Sequence, residues 1–222
     1  MKQILLSLCL LCLFGFQAFA EDVPSAEKVE EYRKAAEKGD AKAQCKLGLC
    51  YNLGEGVPED AVEAVKWFHK AAEQGDDVAQ CCLGCFYANG QGVTKDAVEA
   101  VKWYRKAAEK GNADAQCELG SCYERGAGVT KDAVEAVRWY RKAAEKGNAE
   151  AQCNLGSCYY YGTGVTRDIV EAYKWSYLSA APGEVFATML LNTAAKEMTS
   201  EQIAEAERKA QEWKQKNEAA RH

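Results

Sequence analysis

The chain has 222 residues, 28 basic against 33 acidic side chains for a formal net charge of −5, 48% hydrophobic residues and 11 cysteines. A chain of this length can bury a hydrophobic core without covalent staples. Its mildly acidic balance excludes the basic footprint of a nucleic-acid binder.

The opening "MKQILLSLCLLCLFGFQAFAED" sets one lysine before an apolar run of 13 residues, Ile4 to Phe16, and then Ala18-Phe19-Ala20. That order is a secretory signal peptide with a small-x-small cleavage site, so residues 1–20 are expected to be removed and the mature product exported to the periplasm or the medium. The competing transmembrane reading needs about 20 apolar residues. Neither Cys9 nor Cys12 follows a small residue, which argues against a lipoprotein anchor. No second apolar stretch follows, so no membrane span is expected in the mature form.

Residues 21–39 read as a lone capping helix, because "EYRKAAEKGD" (31–40) matches "WYRKAAEKGN" (103–112) further along. Ser25 to Lys28, "SAEK", has the SxxK spacing of β-lactam-reactive serine enzymes, but the companion SDN and KTG motifs are absent. Ser25 reads as a helix N-cap.

From residue 40 the chain falls into four gapless units of 36 residues, at 40–75, 76–111, 112–147 and 148–183. Each reads as helix, glycine turn, helix. In the first unit Ala43, Leu47, Cys50 and Tyr51 form one apolar stripe at helical spacing. "GEGV" then ends that helix, since glycine accepts the positive φ that reverses a chain. Thr94, Thr130 and Thr166 are expected to cap the second helices, with Asp96, Asp132 and Asp168 in the first turn. On the second helix of unit one, Val62, Val65, Trp67, Phe68 and Ala71 leave only a narrow polar stripe of Glu63, Lys66, Lys70 and Glu73, read as i,i+3 pairs on a solvated face. A helix apolar over so much of its circumference must be contacted on several sides. The GxG turns lack the strand and Gly-Lys-Ser context of a phosphate loop.

Residues 184–222 read as C-terminal capping helices. "EVFATMLLNTAAKEM" resembles a first helix without its glycine and tyrosine. The last helix opens with Thr199 and Gln202 at capping-box spacing and is polar outside Ile203, Ala206, Ala210 and Trp213. A wet outer face is what a terminal repeat requires.

The recurring "AQCxLGxCY", then "GxGV", then "DAVEAVKWYRKAAEKG" resembles the Sel-1-like repeat, a relative of the tetratricopeptide repeat, over residues 31–183. The resemblance implies an all-α fold: a right-handed α-solenoid of four helix-turn-helix repeats between N- and C-terminal capping helices. It also implies an adaptor scaffold that binds a protein or peptide on the concave surface of its first helices, without catalysis and with no cofactor. A cysteine-rich branch of the family carries a disulfide in each repeat and is associated with binding or hydrolysis of β-lactams. That branch needs a cysteine where this chain has Ala72, Ala108 and Ala144, so its staple cannot form. A hydrolase or binder of β-lactams or wall fragments is therefore the alternative function.

Nine cysteines lie beyond the signal peptide, and an odd number leaves at least one outside any internal pairing. Cys45 and Cys50 are about 140° apart on a helix and about 7.5 Å apart along it, which bars a disulfide between them. Inter-unit pairs, Cys50 with Cys81 and Cys122 with Cys153, remain open beside reduced core thiols. Phe86 in place of the second cysteine of unit two favours the core reading. Cys82 and Cys85 form a CxxC, but a tetrahedral zinc needs four ligands and no histidine is near in sequence; no metal site is expected. The ladders Trp67, Trp103, Trp139, Trp175 and Tyr51, Tyr87, Tyr123, Tyr159 read as inter-repeat core rather than a binding platform.

The units differ from one another mainly on the first helix, at Lys46, Cys82, Glu118, Asn154 and the aligned positions after them. The expected partner-binding residues are Leu49, Asn52, Leu53, Asn89, Glu118, Ser121, Glu124, Arg125, Asn154, Ser157, Tyr160 and Tyr161. Tyr160 and Tyr161 stand out as an exposed aromatic pair suited to recognition.

Overall fold

The computed structural model of the protein describes residues 24–180 and 185–219; the expected signal peptide lies outside the described residues. Among them are eleven helices and no strand: α1 (Ala26–Glu37), α2 (Ala41–Leu53), α3 (Ala61–Glu73), α4 (Asp77–Asn89), α5 (Ala97–Glu109), α6 (Ala113–Arg125), α7 (Ala133–Glu145), α8 (Ala149–Tyr161), α9 (Ile169–Ser179), α10 (Val185–Glu197) and α11 (Ser200–Ala219). Helices α2, α4, α6 and α8 are the first helices of the repeats, and α3, α5, α7 and α9 the second. The chain is an α-solenoid of helix pairs.

Local chemistry sets each boundary. Asp40, Asp76 and Asn148 accept from the N–H three residues on and cap the first helices α2, α4 and α8. These end on Gly54, Gly90 and Gly162 in the left-handed conformation. The second helices are not capped by threonine. Asp96, Asp132 and Asp168 are themselves the N-caps, each with an extended backbone and one carboxylate oxygen accepting from the N–H groups two and three residues on. The reason lies in the turn: the N–H of Asp96 donates to the carbonyl of Tyr87 at 2.9 Å, which holds residues 93–95 outside the helix. Ser25 caps α1 as expected, and Thr199 with Gln202 forms a reciprocal capping box, 2.9 Å and 3.3 Å.

The chain divides into two compact units, one running to Ala115 with Ala127–Val129, the other comprising Gln116–Gly126 and Thr130 onward. In the first, Val29 and Ala36 of α1 pack with Leu47, Cys50 and Trp67, and a second cluster joins Cys45, Phe68, Leu83, Phe86 and Trp103. In the second, Cys117, Tyr140, Leu155, Cys158 and Trp175 form one cluster, and Tyr173, Ala194 and Ala206 hold α10 and α11 on α9.

Two glycine positions are required by close approach. A methyl group on Gly48 would lie 2.8 Å from the Phe68 ring, and one on Gly120 2.7 Å from the Tyr140 ring, so in the first three repeats the first helix seats its own repeat's second-helix aromatic on a glycine, while in the fourth Gly156 faces Ser176. At Gly92, with φ of +63°, an added methyl would come within 2.5 Å of the Ala61 carbonyl carbon. Each turn therefore rests its backbone on the start of the preceding second helix.

Candidate binding face of the first helices

The two thiol columns both face the core, on opposite flanks of the helix. Cys50 packs with Val29 and Ala36 of the preceding helix, and Cys45 packs with α4, among Ala79, Leu83 and Phe86. The first helix α2 thus looks back with its second thiol and forward with its first. Of the pairings left open, that of Cys50 with Cys81 does not match this placement, because Cys50 turns towards α1. In the second unit the cluster that holds Cys117 holds Cys158, not Cys153. All nine described cysteines are thiols rather than disulfides. Burial pushes Cys50 up to about 11, aided by Glu55, and Cys122 up to about 11, aided by Glu118. Burial pushes Cys158 up to about 12, with Glu124 adding to it, and burial raises Cys45 further still, with Asp76 beside it. Such thiols are poor nucleophiles at neutral pH.

The aromatic ladders are also core. Trp67, Trp103, Trp139 and Trp175 are 5–8% exposed. Lys70, Lys106 and Lys142 lay their ammonium groups 3.7–3.9 Å from the ring centroids of the tryptophans three residues before them. Lys66 pairs with Glu63 at 2.8 Å as expected, so of the polar stripe it is Lys70 that turns onto the ring. The tyrosine ladder is tied to the preceding second helix: Arg33 donates to Tyr51 at 3.0 Å, His69 meets the Tyr87 hydroxyl at 3.1 Å, and Arg141 donates to Tyr159 at 2.9 Å.

The expected partner-binding residues separate into two groups. Several serve the fold. Tyr140 donates to Glu124 at 2.9 Å, and burial with that carboxylate beside it raises the Tyr140 phenol. Asn89 bonds back to the Cys85 carbonyl and Arg125 to the Ser121 carbonyl, each across one turn. Tyr160 is a correction: it is half-buried against the α9–α11 cluster rather than exposed, and its hydroxyl donates to Glu197 of α10. Arg167 completes this latch, 2.6 Å from Glu197 and 2.9 Å from the Tyr160 carbonyl. Tyr161 is 67% exposed, its ring edge-on to Tyr160, and Leu53 is 40% exposed. Leu49, Asn52, Glu118, Ser121, Asn154 and Ser157 are half-buried along the same helices. In the first unit this strip carries Leu49, Leu53, Cys82, Cys85 and Ala88 beside Asn52 and Asn89; in the second it carries Glu118, Ser121, Arg125, Asn154 and Ser157 beside the exposed Tyr161 ring.

Sequence reasoning missed two sets of residues. Gln44, Gln80 and Gln152 are buried and donate to the carbonyls of Ala36, Ala72 and Ala144, capping the end of the preceding second helix. Their signal was the recurrence of glutamine before the first cysteine in every repeat. The other set is Val62, Val98 and Val134, 52–54% exposed at one position per repeat.

The repeats themselves provide an internal comparison. Residues 76–93 and 112–129, the first halves of repeats two and three, differ at nine of 18 positions, whereas the second halves, 94–111 and 130–147, differ at one, Lys102 facing Arg138.

A helical-repeat scaffold with a variable first-helix face is the class that the fold and this strip define. The chain belongs to the Sel1 repeat family: the family model matches residues 32–40, 41–76, 77–112, 113–148 and 149–182. A protective antigen present in uropathogenic Escherichia coli strains is 41% identical with a TM-score of 0.77, over 84% of this chain and 40% of that one. A Sel1 repeat protein from Oxalobacter formigenes is 43% identical with a TM-score of 0.70, over 75% of this chain and 66% of that one. The chain thus spans less than two thirds of the length of both. A Klebsiella pneumoniae Sel1 repeat protein, 21% identical with a TM-score of 0.54, shares the fold over 84% of this chain and 99% of that one. No functionally curated protein matches by sequence.

Proposed function

We propose that the protein is an exported, non-catalytic scaffold that holds a protein or peptide partner on the exposed strip of its first helices. The observation that carries this reading is that the first halves of repeats two and three differ at nine of 18 positions, among them all four strip positions Cys82, Cys85, Ala88 and Asn89, while the second halves differ at one. Exposure alone does not account for it, because Lys95 in the turn and Val98 and Lys106 on the second helix are exposed too and recur unchanged as Lys131, Val134 and Lys142. The buried, raised thiols and the use of Ser25 as an N-cap, accepting from the Lys28 N–H at 3.2 Å, favour binding over hydrolysis. The exported location rests on the pattern of residues 1–20. Among the described residues no helix is long and apolar enough to cross a membrane.

The test is cross-linked capture from native envelope or culture medium. Changing Ser121, Arg125, Asn154 and Tyr161 together to alanine is expected to abolish capture while the thermal melt stays in place. Capture that survives this variant but is lost on changing Lys102 and Lys106 would place the interface on the second helices instead. Turnover of a chromogenic β-lactam by the pure protein would overturn the non-catalytic reading.

A further inference from the structure

Cys82 and Cys85 are the motif that the scaffold reading leaves without a task. Both depart from the chain's own repeat pattern: the positions aligned with Cys82 hold Lys46, Glu118 and Asn154, and those aligned with Cys85 hold Leu49, Ser121 and Ser157. Two independent departures therefore meet in one repeat. They sit three residues apart on α4, one turn along the same flank, where side-chain Cβ atoms lie about 5–6 Å apart. Both are half-buried, whereas Cys45, Cys81 and Cys117 of the forward-facing column are buried. Packing does not demand a thiol at either position, since lysine, glutamate, asparagine, leucine and serine fill them elsewhere.

We propose that Cys82 and Cys85 form a two-thiolate site for a soft monovalent cation of the Cu(I) class. Thiolate pairs select such ions by softness, and a two-coordinate ion asks for no further ligand. Zinc does not fit, because it takes four ligands and the described residues hold no cluster of three or more His, Cys, Asp or Glu placed to grip a metal. A third observation supports the site. The hydroxyl of Tyr104, a core side chain 2% exposed, donates to the Cys85 sulfur at 3.4 Å. In the next repeat the equivalent Tyr140 hydroxyl goes to a carboxylate, Glu124. A donor aimed at sulfur favours the thiolate over the thiol. Cys82, Leu49 and Val78 pack against one apolar cluster, so Cys82 lies at the edge of a low-dielectric wall. Binding balances simply: two S–H bonds give way to two sulfur–metal bonds, two protons leave to solvent and no electron is transferred.

The experiment uses the reduced full chain under argon, with Cu(I) delivered as its acetonitrile complex, competed by a chromophoric Cu(I) chelator and counted by native mass spectrometry. One Cu(I) retained per chain is expected, with a thiolate-to-copper absorption in the near ultraviolet. Cys82→Ser and Cys85→Ser are each expected to weaken retention by more than about 100-fold, beyond the cost of losing an outer hydrogen bond. Tyr104→Phe, a positioning change, should weaken it about tenfold with an unchanged melt. Cys81→Ala should leave it unaltered. Affinity unchanged in the Cys82→Ser, Cys85→Ser double variant, or loss on Cys81→Ala alone, would overturn the assignment. So would retention of Zn(II) in place of Cu(I).

Discussion

The second helix α5 and the first helix α4 are each 13 residues long and meet solvent along one side, yet one is nearly reproduced in the next repeat and the other is not. Nearly every residue of α5 has a task that its counterpart in α7 repeats. Asp96 caps it, Glu99 pairs with Lys102 at 2.8 Å, Trp103 fills the inter-repeat core under the Lys106 ammonium, and Tyr104 lies on Gly84. On α4 Gln80, Cys81, Leu83 and Gly84 have such tasks and recur on α6, and Phe86 gives way to another buried side chain, Cys122, whereas Cys82, Cys85, Ala88 and Asn89 differ freely from their counterparts. The difference teaches that solvent exposure does not by itself release a position. A residue is released when no neighbouring repeat relies on its side chain.

Breaking the constrained helix is the strongest test of that contrast. Trp103→Ala removes a ring 6% exposed between Phe68, Leu83 and Phe86, and is expected to cost about 3–5 kcal/mol in denaturant unfolding. Gly92→Ala comes next. Its φ of +63° strains any L side chain and the added methyl meets the Ala61 carbonyl, so a loss of about 1–3 kcal/mol is expected. A loss below that range would mean that the turn does not rest on the preceding helix. Smaller again is the cap. Asp96→Ala should cost about 1 kcal/mol and Thr94→Ala little, and the reverse order would restore threonine as the cap.

The fold was legible because its signals repeat. The 36-residue period, the paired glycines and the apolar stripe around Leu47 each recur without a gap, and the Thr199–Gln202 capping box was readable from spacing alone. The N-caps of the second helices were misassigned because both Thr94 and Asp96 are capping residues, and only the Asp96 N–H bond to Tyr87, nine residues back, decides between them. The sequence favours core thiols but leaves their neighbours open for a related reason: a helical wheel shows that Cys45 and Cys50 oppose each other but not which neighbour each one faces. The repeat pattern leaves Tyr160 looking exposed because its cover comes from α10, after the repeats, through Glu197, a residue with no repeat signal of its own.

That latch gives the smallest expected effect and the one that separates Tyr160 from its neighbour Tyr161. The Tyr160 hydrogen bond, with Arg167 adding to it, holds the Glu197 carboxyl below the usual carboxylate range, while the same bond to Glu197 holds the Tyr160 phenol above its ordinary value. A carboxylate lowered in the folded state contributes stability that is present above its unfolded pKa of about 4.3 and is lost as pH falls through the lowered folded value. Acidification through that range should therefore raise amide hydrogen exchange in α10 relative to α4, after correction for the intrinsic rate, while α5 stays protected. Glu197→Gln should loosen α10 in the same way at neutral pH and remove the dependence. Because Glu197 and Arg167 are solvent-exposed, screening keeps the change local and shrinks it with added salt. If α10 and α4 open together at low pH, the latch is not what holds Tyr160 in place, and that ring returns to the free face beside Tyr161.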